Sequence, residues 1–511
     1  MWQRIIVICI QITFVFTANP LCQKKNGFFI MKNDCTRFYR CVHGDLVQNQ
    51  TCPKGTLFNI KTLVCDHRTN APTECTAHIL GTAENEISQD VEFAEEHTPG
   101  PDEWQPTVGP TTPMEDLPKE GFKDEYKVVC YFTSWSFYRK EDAKFIPEDI
   151  NPYYCTHLIY AFATLDRDSL TIRIHDRWAD IENRFYKRIL KLKTINQNLK
   201  VLLALGGWND SEDDKYSRLV ADENSTSKFI NHALQFVQKH GFDGLDIDWE
   251  FPGCPQAKCT TETDDSKMFA IFIRELKVAM TKNNYLLSAA VSSTKHIIDK
   301  AYDVSSMNEN FDFINLMAYD YYGAWSDFAE THSPLFTKPS IEDADKMSKY
   351  KSVNFSVTYW IEKGMSPQKI VLGVPFYGRA VALKKKTQKP NYGLGDPIFG
   401  PASSGKYTNE PGFLSYYEVC DLIKTKEYKK HRDQYSGTYI ENGKDFIGYD
   451  DVKQLVQKMS MIKHYKLGGA MVWSIDMDDF RGNCCSIKYP LLKTVNSVLR
   501  GVTSFAGIKC A

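Results

Sequence analysis

The sequence has almost no net charge: 62 Lys and Arg stand against 64 Asp and Glu, leaving −2. A chain so balanced has no electrostatic grip on nucleic acid or on an anionic membrane surface, and neither is expected as a partner. It also lacks an apolar run long enough to cross a bilayer, because the stretch from Ile5 to Phe16 falls short of the roughly 20 residues that a spanning helix needs. With Arg4 ahead of it and Ala18 behind it, that stretch reads as a secretory signal peptide over residues 1–18, and a secreted, extracellular, soluble product is expected. Cys-x-x-Cys pairs are missing among the first cysteines of the remaining chain, which argues against a zinc module.

What is present begins with 15 cysteines, and loss of Cys9 with the signal leaves an even number for an oxidising compartment, where disulfides form. Cys22, Cys35, Cys41, Cys52, Cys65 and Cys75 crowd residues 19–78, a segment too short for an adequate core without cross-links. Residues 79–124 turn acidic and then rich in proline and threonine. Pro99, Pro101, Pro106, Pro110, Pro113 and Pro118 interrupt any helix there, so an extended linker is expected, with Trp104 an isolated apolar residue in it. Sequons at Asn49, Asn224 and Asn354 are candidate glycan sites; Asn209 is a weaker one.

From 125 to 500 eight short apolar runs alternate with helical stretches. They start at Val128, His157, Lys200, Gly244, Leu286, Phe313, Ile370 and Gly468. Continuous apolar strands between helices call for a parallel sheet covered on its outside, and eight of them predict a closed (β/α)₈ barrel of the α/β class. The gap of about 380–446 is too long for one crossover and predicts an inserted subdomain.

The most informative run is Phe242-Asp243-Gly244-Leu245-Asp246-Ile247-Asp248-Trp249-Glu250. As a strand it places Asp246, Asp248 and Glu250 on one face and Leu245, Ile247 and Trp249 on the other. Crowded carboxylates cannot all ionise freely, so one is pushed to hold a proton near neutrality, which suits glycoside cleavage. A cation held by the oxygens and a solvated acidic turn are the competing readings.

The spacing Asp243-x-x-Asp246-x-Asp248-x-Glu250 resembles the signature of glycoside hydrolase family 18, the chitinases and their relatives. Leu203-Ala-Leu-Gly-Gly-Trp-Asn209, Met317-Ala-Tyr-Asp320, Gly373-Val-Pro-Phe-Tyr-Gly-Arg379 and Gly468-Gly-Ala-Met-Val-Trp-Ser474 resemble further landmarks of that family, in order. The first six cysteines, with Phe28-Phe29, Phe38-Tyr39, Gly55 and Phe58 between them, resemble a peritrophin-A type chitin-binding domain. Such a module beside such a barrel is similar to arthropod proteins.

The resemblance implies an endo-acting chitinase that cleaves β-1,4 bonds of chitin and chitooligosaccharides as a monomer without metal or cofactor. Its substrate's own N-acetyl group serves as nucleophile. Glu250 is then the acid, Asp248 orients the acetamide, Asp246 shares its proton, and the Tyr319 hydroxyl donates to the acetamide oxygen. Trp473 would floor the pocket, with Met317, Asp320, Tyr377, Arg379, Tyr131 and Phe162 lining it, Arg379 bonding substrate oxygens. Trp135, Trp208 and Trp325 would extend the groove, and Asp243 would be a brace. The implied disulfides are Cys22–Cys41, Cys35–Cys75, Cys52–Cys65, Cys130–Cys155 and Cys420–Cys485, while Cys254 with Cys259 and, by elimination, Cys484 with Cys510 remain. The insertion is expected to be α+β. A non-catalytic chitin-binding lectin, an N-glycan endoglycosidase and a matrix protein are the alternatives; non-catalytic relatives usually lack the acid.

Overall fold

In the computed structural model residues 125–259, 264–340, 346–386, 391–485, 487–502, 508 and 510 are described, together with the strand backbones of 27–31, 34–42, 45–51, 56–59 and 64–67. The chain divides into two units, 1–107 and 108–511. In the first, β1 (Gly27–Met31), β2 (Asp34–Val42) and β3 (Asp45–Thr51) form an antiparallel sheet, and β4 (Thr56–Asn59) pairs with β5 (Val64–His67). The expected signal peptide, the linker and the cysteine pairings of the small module lie outside the described residues and side chains.

The second unit is built on β6 (Lys127–Thr133), β7 (His157–Leu165), β9 (Lys200–Gly206), β10 (Gly244–Asp248), β11 (Leu286–Ser292), β12 (Phe313–Met317), β13 (Ile370–Pro375) and β20 (Gly469–Trp473). Each is parallel to its neighbours, and β6 pairs with both β20 and β7, so the sheet closes into the eight-stranded barrel that the apolar runs predicted. A short β8 (Ile172–Ile174) folds back antiparallel on β7. Close strand approach sets one residue type: a Cβ at Gly244 would lie 2.1 Å from the Leu286 carbonyl oxygen.

The helix that delivers the chain to β10 shows why this sequence folds locally as it does. Thr226, Phe229, Ile230, Ala233, Phe236 and Val237 recur at helical spacing and bury one face of Glu223–His240. Asp222 accepts from the Ser225 N–H at its start, and Gly241, at φ 86°, ends it. The Asp222 cap sets the first turn at Glu223.

Between β13 and β20 the chain builds a second sheet from β14 (Tyr377–Leu383), β15 (Ile398–Pro401), β16 (Phe413–Ser415), β17 (Lys429–Asp433), β18 (Gly437–Glu441) and β19 (Asp445–Tyr449), with the helix Tyr416–Lys424. This sheet opens at Tyr377, three residues ahead of the expected insertion, because Tyr377-Gly378-Arg379 pairs with β16, and Gly378 and Arg379 pair with β19 as well.

Cys130 is joined to Cys155 and Cys254 to Cys259. The Cys420–Cys485 and Cys484–Cys510 pairings are corrected: Cys420 is joined to Cys484, and Cys485 to Cys510. Asp479 receives the N–H groups of both Cys484 and Cys485 at 2.8 and 2.9 Å, fixing a tight turn. That turn, which chain order does not reveal, decides which sulfur faces which partner. Asn354 is also no free surface amide, since it lies in the helix Val353–Glu362 and its side chain accepts from Tyr465 at 2.9 Å.

Candidate active site

Alternation along β10 turns Asp246 and Asp248 into the barrel, both buried. The strand ends at Asp248, so Glu250 stands on the loop beyond it rather than on the strand, its N–H bonded to the Ser211 hydroxyl at 2.9 Å. Trp249 points the other way and stacks on Tyr216, with Phe269 at its edge. The acid is thereby anchored by the packed Trp249 before it and by the hydrogen bond at its own N–H.

Asp246 is held from three other strands. It accepts from Tyr131 of β6 at 2.6 Å, from Ser288 of β11 at 2.6 Å and from Asn315 of β12 at 3.1 Å. Burial raises its carboxyl to about 6 against the pull of these three donors. With donors on both oxygens, Asp246 is poorly suited to ligate a cation. Asp248 is raised by burial and then by the neighbouring charges of Glu250 and Asp246, and its Oδ1 is buried without a hydrogen-bond partner. Burial first, and the nearby Asp320 second, push Glu250 up to about 8. A buried acceptor beside a protonated acid can receive an N–H while the acid gives its proton away.

Asp320 follows β12 at φ 59° and takes Arg379 in two bonds, Nε at 2.8 Å and Nη2 at 2.7 Å. Burial opposes its charge, but Arg379 and His332 together outweigh burial and hold the carboxyl well below the usual range. Arg379, expected to bond substrate oxygens, lines the groove from β14, with Nε and Nη2 on Asp320 and its plane against Trp325, Tyr377 and Phe413. Tyr319 is buried, and burial raises its hydroxyl, which lies 3.9 Å from the Met471 sulfur.

These groups open into a groove of about 1480 Å³, lined also by Tyr131, Met317, Tyr377 and Trp473. Trp473 is flanked by Tyr131 at 5.2 Å and by Phe162 stacked at 5.9 Å. Phe162 does not line the groove and supports it from behind Trp473, whereas Tyr131 lines it while its hydroxyl donates to Asp246. Trp135, Trp208 and Trp325 face the groove and are 37%, 47% and 60% exposed, too open to be core aromatics. Asp243 is outside the groove. It bonds the Lys193 ammonium at 2.7 Å and the Val201 N–H at 2.8 Å, tying the helix Phe185–Ile195 and β9 to the start of β10. Sequence reasoning missed Ser211, Ser288, Asn315 and His332, all polar residues in unremarkable local contexts. Their one signal is polarity, which for Ser288 and Asn315 falls within otherwise apolar strands.

Residues 127–478 match the glycosyl hydrolases of family 18, and residues 22–75 match the chitin-binding peritrophin-A domain. Probable chitinase 10 of Drosophila melanogaster is 40% identical over 94% of this chain, which spans a fifth of that relative's length. Among solved structures, a mutant of catalytic domain 2 of the Ostrinia furnacalis Group II chitinase, in complex with (NAG)5, is 44% identical. The match covers 74% of this chain and 97% of that one, with a TM-score of 0.70. Human YKL-39, a pseudo-chitinase with retained chitooligosaccharide binding, is 37% identical over 73% of this chain and 99% of its own, with a TM-score of 0.66.

Proposed function

Because the chain belongs to the glycosyl hydrolases of family 18, we propose that it is a secreted, endo-acting chitinase that cleaves β-1,4 bonds between N-acetylglucosamine units with retention of configuration. The carrying observation is the juxtaposition of a carboxyl raised to about 8 at Glu250 with the buried, unpartnered Oδ1 of Asp248. In this reading Glu250 protonates the glycosidic oxygen while the sugar's own acetamide oxygen attacks its anomeric carbon, giving an oxazolinium ion and the leaving sugar. Asp248 accepts the acetamide N–H through the oxygen that otherwise has no donor, which orients the nucleophile and stabilises the positive charge that develops on the ring. The donors around Asp246 keep that neighbour fixed while the pair shares its proton. Tyr319 donates to the acetamide oxygen, and Trp473 gives the distorted sugar a flat apolar floor. Glu250 then removes a proton from water as the intermediate opens.

The exposed tryptophans along the groove support binding of several sugar units, as expected of an endo-acting enzyme. Residues 22–75 supply a second attachment to chitin. A lectin-like reading draws on the binding but non-catalytic human relative, yet the full set Asp246, Asp248, Glu250 and Tyr319 is intact here.

The test is hydrolysis of chitotetraose by the protein and by Glu250→Gln, with product anomers followed by NMR. Early β-anomer from the wild type and none from the variant is the expected result. Binding of the oligomer by both without cleavage by either moves the reading to a lectin.

A further inference from the structure

One buried ring stands behind the groove, against Asp320 and Tyr377. His332 is 1% exposed, its Nδ1 lies 3.2 Å from Asp320 Oδ1 and its Nε2 lies 3.1 Å from the Tyr377 carbonyl oxygen. A carbonyl can only accept. The Asp320 carboxylate, already engaged by Arg379 in two bonds, has no proton to give. Both ring nitrogens must therefore donate for both contacts to be hydrogen bonds, and a neutral imidazole has one N–H.

We propose that His332 is held as an imidazolium and serves as a positioning residue for glycoside cleavage, clamping Asp320 against β14. This rests on the hydrolase reading above. The ring's surroundings fit the assignment. Asp320 faces it from the end of β12, while the Tyr377 ring stands 4.8 Å away and Arg379 shares the same carboxylate from β14. Asp450, just past β19, is a second carboxylate within electrostatic reach of His332 and is paired with Lys458 of the helix Val452–Tyr465 at 2.6 Å. The ring thus has two carboxyl groups within reach, Asp320 paired with Arg379 and Asp450 paired with Lys458. Loss of the ring proton would turn a nitrogen lone pair toward Asp320 Oδ1 or toward the Tyr377 carbonyl and break one side of the clamp. Asp320 in turn is the charge that helps Glu250 keep its proton. His332 thereby acts on the acid at one remove, without touching substrate.

The decisive measurement is ¹⁵N NMR of histidine-labelled protein, with His332 assigned by its absence in His332→Asn. Both ring nitrogens at imidazolium shifts, at the pH of maximal hydrolysis, are expected; one unprotonated nitrogen there overturns the assignment. Kinetics test the positioning role. In folded His332→Asn, kcat for chitotetraose should fall by about ten- to a hundredfold with KM little changed, and the alkaline limb of the pH profile should move to higher pH, because the ring's positive charge no longer offsets Asp320 at Glu250. His332→Gln, as a second variant, should show the same limb movement. Unchanged kcat and an unmoved limb in either folded variant, beside an active wild type, defeat the proposal alone. An inert wild type defeats the hydrolase reading and the positioning role with it, while the ring's charge is still decided by NMR.

Discussion

Glu250 has to carry a proton at the pH where the reaction runs, and its neighbours determine how far into alkali it keeps it. Burial and the Asp320 charge hold its carboxyl up at about 8. The rate of a step that needs the protonated acid should then stay level up to that region and fall about tenfold per pH unit beyond it. Asp320→Asn removes the charge with little change of shape. At an effective dielectric of about 20, one charge within several ångströms of a partly buried acid is worth ~1–3 kcal/mol, which is on the order of one to two pH units. Arg379 and His332, deprived of their anion, add positive field and move the limb in the same direction. Initial rates of chitotetraose cleavage from pH 4 to 10 at constant ionic strength should show the wild-type alkaline limb near 8 and the variant's limb at distinctly lower pH. A variant that remains active with its limb unmoved would refute the electrostatic coupling, and a wild-type profile flat from pH 7 to 10 would refute Glu250 as the acid.

Asp243→Ala should leave cleavage per folded molecule intact while costing about 2 kcal/mol, most of it from the Val201 N–H left without its acceptor, because the partly exposed Lys193 pair contributes little; urea titration reads it. Trp473→Ala should lower kcat/KM for chitotetraose by about a hundredfold through loss of the apolar floor, with steady-state kinetics as the check. Stability should fall as pH rises from about 4.5 to about 8. Burial raises Asp180, Glu330 and Asp478 to about 7 and Glu250, helped by Asp320, to about 8, so each binds its proton more tightly folded than unfolded. Their contribution is complete below the unfolded carboxyl range and is lost as pH rises from there through 7 to 8; a Tm that rises over that interval contradicts it.

The eight strands and their order were legible in the sequence because parallel strands buried on both faces must be continuously apolar, and helices between them must show a 3.6-residue period. The inward aim of Asp246 and Asp248 was legible for an equally local reason, the two-residue repeat of β10. Glu250 was already one step harder, since the strand stops before it. The rest of the site was decided by tertiary structure. Asp246 is satisfied by residues 115, 42 and 69 positions away, and closure of the barrel brings those side chains to one point. The His332–Asp320–Arg379 clamp joins the end of β12, a loop and the first strand of the insertion. The cysteine partners near the C-terminus depend on a turn that Asp479 holds, and Phe162 became a support for Trp473 only when β7 and β20 met across the barrel mouth. Period and composition act over a few residues and so are written in the chain. Which buried donor meets which acceptor depends on three-dimensional closure, and residue order does not carry it.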